Sequence, residues 1–188
     1  MTDVHLLPPN LPAPPDDGAC DHLTGLRFPA LPLPATDGRS VDVSGLAGRT
    51  VLYVYPRTGT PGVPLPQDWD IIPGARGCTP QSCAFRDHHA ELGALGARVF
   101  GLSTQTTPQQ AEAAARLHLP FALLSDSGGE LARALRLPTF EVPGEDQPLL
   151  RRVTMVVTDA VIEKVFYPVF PPDQNAAEVM DWLRQPEA

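Results

Sequence analysis

Arg49-Thr50-Val51-Leu52-Tyr53-Val54-Tyr55, followed at once by Pro56, is a run of β-branched and aromatic residues without polar alternation. A strand with one wet face alternates apolar and polar side chains, so this run predicts a strand buried on both faces and ended by Pro56. Such a strand needs a layer on each side, and the flanking sequence supplies candidates. Ala97-Arg98-Val99-Phe100-Gly101-Leu102-Ser103 reads as a second buried strand, Phe121 to Leu124 as a third, and Arg152 to Val157 with Val161 to Tyr167 as two more. Helical signals fall between them. Thr79-Pro80 offers a cap and a first-turn proline for a helix running to about Leu95. Thr107-Pro108-Gln109-Gln110 opens another over 108–117, Glu130 to Leu135 is a short one, and Asp173 caps a last helix over about 175–184. Upstream, Asp37-Gly38 sits between two apolar stretches within 26–43 and supplies the positive φ angles of a hairpin turn.

Strand, helix, strand, helix, strand, helix and then a terminal strand pair and helix is the order of an α/β, thioredoxin-like fold with an N-terminal hairpin. A fold of this kind hosts many chemistries, so the site has to carry any claim about function. One segment does not fit the short connections expected of it. Pro56 to Gly77 holds Pro61, Pro64, Pro66 and Pro73 with Gly59, Gly62, Gly74 and Gly77, and long loops inside compact domains are usually functional.

The 188 residues suit one core. Of the 23 prolines, Pro8, Pro9, Pro12, Pro14 and Pro15 crowd the opening, which reads as an extended arm over 1–25 ahead of a domain over 26–188. The net charge of −8 opposes binding to nucleic-acid phosphate or to an anionic membrane surface. No apolar run approaches the ~20 residues of a membrane span. Met1-Thr2-Asp3-Val4-His5 lacks a basic start followed by an apolar stretch, so the chain reads as cytosolic. Three cysteines make no disulfide framework, and a bond between any two is expected to be catalytic or redox-sensing. Cys20, in an Asp-rich stretch, reads as a free thiol.

Cys78 and Cys83 stand at the start of the first long helix, just after the long loop. Unpaired N–H groups and the positive end of the helix dipole favour an anion at Cys78, so its thiol is expected to ionise more readily than a free one. In a continuous helix their Cα atoms lie ~8.7 Å apart, beyond the 4.4–6.8 Å of a disulfide, so joining them requires local unwinding. Two readings stay open on spacing alone: a redox pair that opens the helix start, or two small core residues. A zinc site with His88 or His89 matches no common spacing, and thioredoxin-type exchange uses two intervening residues rather than four. His88 and His89 fall in phase with Phe85, Leu92 and Leu95, which makes one of them a packing residue.

Gly77-Cys78-Thr79-Pro80-Gln81-Ser82-Cys83-Ala84-Phe85-Arg86-Asp87 resembles the active-site helix of peroxiredoxins of the Q subfamily, also called bacterioferritin-comigratory-protein-like. The resemblance continues in Tyr55-Pro56-Arg57-Thr58-Gly59-Thr60-Pro61-Gly62, Gly101-Leu102-Ser103-Thr104, Leu119-Pro120-Phe121, Ser125-Asp126 and Gly129-Glu130-Leu131-Ala132-Arg133, and covers roughly residues 26 to 184. It implies Cys78 as the peroxidatic cysteine and Cys83 as the resolving one. Peroxide would be the oxidant and thioredoxin or a similar dithiol protein the reductant. It also implies an arginine beside the thiolate, which Arg152 supplies; neighbouring strand residues face opposite ways, so Arg151 is expected to point elsewhere. No metal or other cofactor is implied, and the subfamily suggests a monomer that reduces hydrogen peroxide and small organic hydroperoxides. The reading from another class is a non-catalytic redoxin-fold peroxide sensor or binding module that passes its disulfide to a client protein.

The chain departs from the family in one place. The family motif runs proline, three residues, threonine or serine, two residues, cysteine. Here Pro56 and Thr60 keep their mutual spacing, but Val63 to Gly77 intervenes before Cys78. Thr60 must therefore fold back to position the peroxide, or another group must replace it. The insertion over 63–77 carries Gln67-Asp68-Trp69-Asp70-Ile71-Ile72, and apolar groups of that size are expected to cover the nearest surface, the Cys78 pocket.

Overall fold

Alternate residues of the Arg49 strand feed two cores. In a computed structural model that describes residues 7–185, Val51, Tyr53 and Tyr55 point into one apolar cluster and Leu52 and Val54 into another, all five buried. The elements around this strand follow here in chain order. A short hairpin of β1 (Leu33–Pro34) and β2 (Ser40–Val41) turns at Gly38, whose φ of +83° is the left-handed conformation expected of Asp37-Gly38. β3 (Arg49–Val54) is the central strand, and the loop after it holds a single 3₁₀ turn, Trp69–Ile71. Then come α1 (Cys78–Asp87), α2 (His89–Ala94), β4 (Ala97–Ser103), α3 (Thr107–Arg116), β5 (Leu123–Ser125) and α4 (Glu130–Leu135). A two-strand hairpin of β6 (Thr139–Phe140) and β7 (Leu149–Leu150) precedes β8 (Val153–Thr158), β9 (Val161–Phe166) and α5 (Asn175–Leu183).

The main sheet runs β5-β4-β3-β8-β9, with β3 parallel to β4, β4 parallel to β5, and β8 antiparallel to both β3 and β9. Tyr53 is paired with Gly101 on one side and Thr154 on the other. A Cβ on Gly101 would come within 2.7 Å of the Tyr53 ring, so a glycine is needed for the phenol to lie there. Phe85, Leu92, Val179 and Met180 bring α1, α2 and α5 onto the Tyr53 face. Leu131 and Leu135 of α4 cover the other face, together with Leu23 and Phe28.

Several boundaries shift from the expectation, each for a visible reason. The helix expected to run to Leu95 breaks at His88 (φ −100°, ψ 10°), which becomes the N-cap of α2 with its Nδ1 2.9 Å from the Glu91 carboxylate. α1 is capped by Gly77 rather than Thr79, so Cys78 is its first residue; φ there is +112°, and a Cβ would meet the Pro172 ring at 2.3 Å. α3 uses Thr106 and Gln109 as its capping box, because Gln110 is buried and donates to Ser103 Oγ and the Leu124 carbonyl. Asp173 falls in a 3₁₀ turn, Pro172–Gln174, and does not cap α5 through its side chain. The proline-rich arm lies partly outside the described residues; from residue 7 onward it rests on the domain, and the core already includes Cys20 and Leu23, 3% and 0% exposed. No helix of the described residues is long and apolar enough to cross a membrane.

Candidate active site

The left-handed Gly77 turns the chain into α1 so tightly that Cys78 starts the helix while buried, 4% exposed. The first N–H groups of a helix have no acceptor within it, so they are directed at whatever sits at its start. A cation arrives from the sheet. Arg152 lies one residue before β8, 3% exposed, and its Nη2 is 3.4 Å from Cys78 Sγ. The same nitrogen faces the carbonyls of Gly74, Ala75 and Arg76, each at 3.3 Å, so one guanidinium gathers the chain leading into the helix. Arg151 points the other way, donating to the Thr139 carbonyl and lying over the Phe140 ring, as strand alternation requires.

Three buried polar residues fix the Arg152 plane. Its Nη1 donates to Gln81 Oε1, Gln81 Nε2 donates to Asn175 Oδ1 at 3.0 Å, and Thr154 Oγ1 donates to the same oxygen at 2.7 Å. Gln81, Thr154 and Asn175 are each 0% exposed, so the chain of bonds ties α1, β8 and α5 together in a dry interior where each bond is worth more than in water. The sequence reading missed all three. Two had a signal: Gln81 is three residues after Cys78 on the same helix face, and Thr154 is two after Arg152 on the same strand face. Asn175 had none, because its place depends on where α5 docks.

Cys83 is half-buried in the same unbroken helix, and all three cysteines are free thiols. Burial pushes the Cys83 thiol above its ordinary value, with Arg86 offsetting part of the effect. α1 is held to the sheet beneath it by Tyr53, whose hydroxyl donates to Ser82 Oγ at 3.0 Å and whose ring stacks on Phe85 at 4.6 Å. Cys20 is buried in the opposite core, with its thiol pushed up to about 12 by burial and by Asp17, Asp21 and Asp16.

A cavity of about 30 Å³ opens over Cys78, walled by Arg57, Gly59, Leu65, Trp69, Arg76 and Thr79 among others. Gln105 pins the turn that supplies the first two: its Oε1 accepts from the N–H and hydroxyl of Thr58, and its Nε2 donates to the Thr58 carbonyl. Thr60 and Pro56 do not wall this cavity. Pro56 is buried at the end of β3, and Thr60 lines the neighbouring groove built by the insertion. The insertion does cover the site. Trp69 is 4% exposed, packs in a small cluster with Ala75, Val142 and Leu149, and lies 6.4 Å from the Phe140 ring. Arg76, 7% exposed, joins the Cys78 cavity from the insertion's end and pairs with Asp70 at 3.0 Å. His89 packs against Phe121, and no group of three metal-ligating side chains occurs among the described residues.

A buried cysteine at a helix start, met by a guanidinium from the antiparallel side of a thioredoxin-like sheet, defines a redoxin site. The Redoxin family model matches residues 23–180, and the chain belongs to that family. Among the redoxins it is similar to those named peroxiredoxin Q. The chloroplastic peroxiredoxin Q of Oryza sativa subsp. japonica is 29% identical over 164 residues, covering 85% of this chain and 66% of the relative, so the chain spans about two thirds of that protein. The chloroplastic peroxiredoxin Q of Sedum lineare is also 29% identical over 164 residues, covering 85% of this chain and 77% of its own. Among solved structures, peroxidoxin BcpB from Mycobacterium tuberculosis is 28% identical with a TM-score of 0.68, covering 88% of this chain and 98% of that one. A cysteine-to-serine mutant of Xanthomonas campestris peroxiredoxin Q has the same fold, with a TM-score of 0.68 at 23% identity over 86% of this chain and 98% of that one.

Proposed function

We propose that the protein is a thiol-dependent peroxidase in which Cys78 is the peroxidatic cysteine, Cys83 the resolving one and Arg152 the cation that serves both substrate and sulfur. The observation that carries this reading is the Arg152 guanidinium 3.4 Å from the sulfur of a buried cysteine at a helix start. Cys78 sulfur attacks one peroxide oxygen; the S–O bond forms as the O–O bond breaks, and the leaving oxygen departs as alcohol or water after taking a proton. Arg152 orients the peroxide and offsets the charge that grows on the departing oxygen. The product is a sulfenic acid on Cys78. Cys83 then attacks that sulfur, forming the disulfide and releasing water, for which the first turns of α1 must open. Two electrons and two protons from thioredoxin or a similar dithiol protein restore both thiols. The substrates are hydrogen peroxide and small organic hydroperoxides, and the protein works as a cytosolic monomer. Pro56 and Thr60 flank the turn that carries Arg57 and Gly59, and it is those two residues that stand at the Cys78 cavity.

Peroxide consumption with a thioredoxin system, together with mass spectrometry of oxidised protein, tests the reading. Cys78→Ser abolishes turnover, whereas Cys83→Ser keeps one rapid oxidation and loses dithiol-dependent cycling. Stoichiometric oxidation without turnover would instead make the protein a sensor. A dominant disulfide other than Cys78–Cys83 would remove the assignment.

A further inference from the structure

The cavity of about 30 Å³ over Cys78 has three polar side chains in its wall besides the cysteine: Arg57, Arg76 and Thr79. The threonine of the family motif is missing from it, since Thr60 lines the neighbouring groove. Arg57 carries a signal that the other two lack. Its Nη1 is held by the Glu145 carboxylate, from the loop that joins β6 to β7, while its Nε is buried and has no hydrogen-bond partner among the described residues. A buried donor left unpaired costs free energy and calls for an acceptor that arrives with a ligand. Among the described residues one other arginine keeps a buried, unpartnered Nε, and it is Arg152, already beside the sulfur. Arg57 is also held in place. Gln105 binds the N–H, hydroxyl and carbonyl of Thr58, the next residue, and Glu145 holds the tip, which is the preorganisation that stabilising a developing charge requires. Arg76, by contrast, pairs with Asp70 and lines the groove as well as the cavity.

We propose that Arg57 is a second catalytic guanidinium, which donates to the peroxide oxygen that leaves and stands in the cavity wall where the family motif would bring threonine. The inference rests on the proposed role of Cys78. Attack by the thiolate moves an OH group to sulfur; the electron pair of the O–O bond departs on the other oxygen, which then takes its proton from water. A guanidinium donates and does not accept. Arg57 therefore acts on the charge of the departing oxygen, together with Arg152, and relays no proton. Glu145 is its positioning residue: it lies outside the cavity wall and acts through the Arg57 tip.

The test uses two oxidants that differ in leaving group. Hydrogen peroxide expels hydroxide, which needs a donor, whereas peroxyacetic acid expels acetate, a far weaker base that departs with little help. Second-order rates of Cys78 oxidation are read by rapid mixing and mass spectrometry in the full chain. Arg57→Met lowers the hydrogen peroxide rate about 10²-fold, as loss of one preorganised donor does, and the peroxyacetic acid rate by less than about fivefold. Arg57→Lys keeps a charge and donors without the planar fork, so it recovers part of the hydrogen peroxide rate. Glu145→Gln releases the tip and shifts the ratio of the two rates in the same direction. If Arg57→Met does not fold by circular dichroism, Arg57→Lys and Glu145→Gln carry the same comparison. An equal loss with both oxidants overturns the proposal, because it makes Arg57 a structural prop. A hydrogen peroxide rate that falls further in Thr60→Val or Arg76→Met than in Arg57→Met also overturns it. Wild-type protein that hydrogen peroxide does not oxidise at Cys78 refutes the proposed function itself, whereas wild-type oxidation at Cys78 with a rate ratio untouched by the Arg57 variants refutes this inference alone.

Discussion

Replacing Arg152 with methionine keeps the reach of the side chain and removes its charge and its donors. The Nη2 group stands 3.4 Å from Cys78 Sγ, where the proposed reaction passes charge from sulfur to the leaving oxygen. Losing one preorganised donor at a developing charge costs ~2.7–4 kcal/mol, or 10²–10³ in rate. The fold suffers separately. The carbonyls of Gly74, Ala75 and Arg76 and the amide of Gln81 lose their shared partner in a dry interior. Leaving buried acceptors unsatisfied costs about 1–3 kcal/mol, which lowers the Tm of a domain this size by roughly 2–12 °C. The assay is rapid-mix oxidation of Cys78 at 25 °C, quenched and read by mass spectrometry, with a melt by circular dichroism on the same sample. Arg151→Met is the control: its guanidinium is engaged with the Thr139 carbonyl and the Phe140 ring, so its rate stays within about threefold of wild type. Equal rate losses at 151 and 152, or an Arg152→Met protein that is folded and reacts at the wild-type rate, would refute the reasoning.

Three further outcomes follow from the structure. Burial holds the Cys83 thiol above its ordinary value, and only the thiolate attacks, so the rate of disulfide formation after Cys78 oxidation rises about tenfold per pH unit between pH 6 and 8; a plateau in that window, measured by stopped flow, would contradict this. Cys20, with its thiol pushed up to about 12 and 3% exposed, is ionised to only about one part in 10⁴ at pH 8, so iodoacetamide labels native protein at the half-buried Cys83 but spares Cys20. Gly77→Ala must hold φ near +112° and push a Cβ to 2.3 Å from Pro172, which costs about 1–3 kcal/mol or more and displaces the start of α1; a melt identical to wild type would show that the turn tolerates a side chain.

What the sequence revealed depended on whether a residue's surroundings were local. The two-sided burial of β3 was written in Val51 to Tyr55, because neighbours along a strand alternate faces whatever lies beyond them. The five sheet strands and α4 were legible for similar reasons, since strand length and period reside in the segment itself. Caps shifted by one residue where two local solutions competed, as with Thr106–Gln109 against Thr107–Gln110, and a buried contact of Gln110 to β4 and β5 decided between them. The β6–β7 hairpin went unread, because strands of two residues carry no period. At the site, Cys78 and Arg152 could be named from motif and strand phase. The Gln81–Asn175–Thr154 relay could not, since buried amides and hydroxyls are defined by their distant partners.

The insertion separates two demands that a shorter loop would join. The sulfur is carried by α1 and the guanidinium that meets it by the start of β8, elements fixed by the Tyr53–Thr154 register and by the Arg152–Gln81–Asn175 bonds, while the Ala75 carbonyl at the end of the insertion lies 3.8 Å from the same sulfur. None of those bonds runs through residues 63–72, so the loop can change without moving the cation from the cysteine. The cavity over Cys78 is walled by Leu65, Trp69 and Arg76, all brought by the insertion, with Arg57 and Gly59 from the turn that Gln105 holds. Thr60 lines the groove and not the cavity over Cys78. Substitutions in the sheet-borne set should therefore slow every peroxide alike, whereas substitutions in the insertion should change which peroxide reacts fastest, and the ratio of rates between two substrates tells the two sets apart.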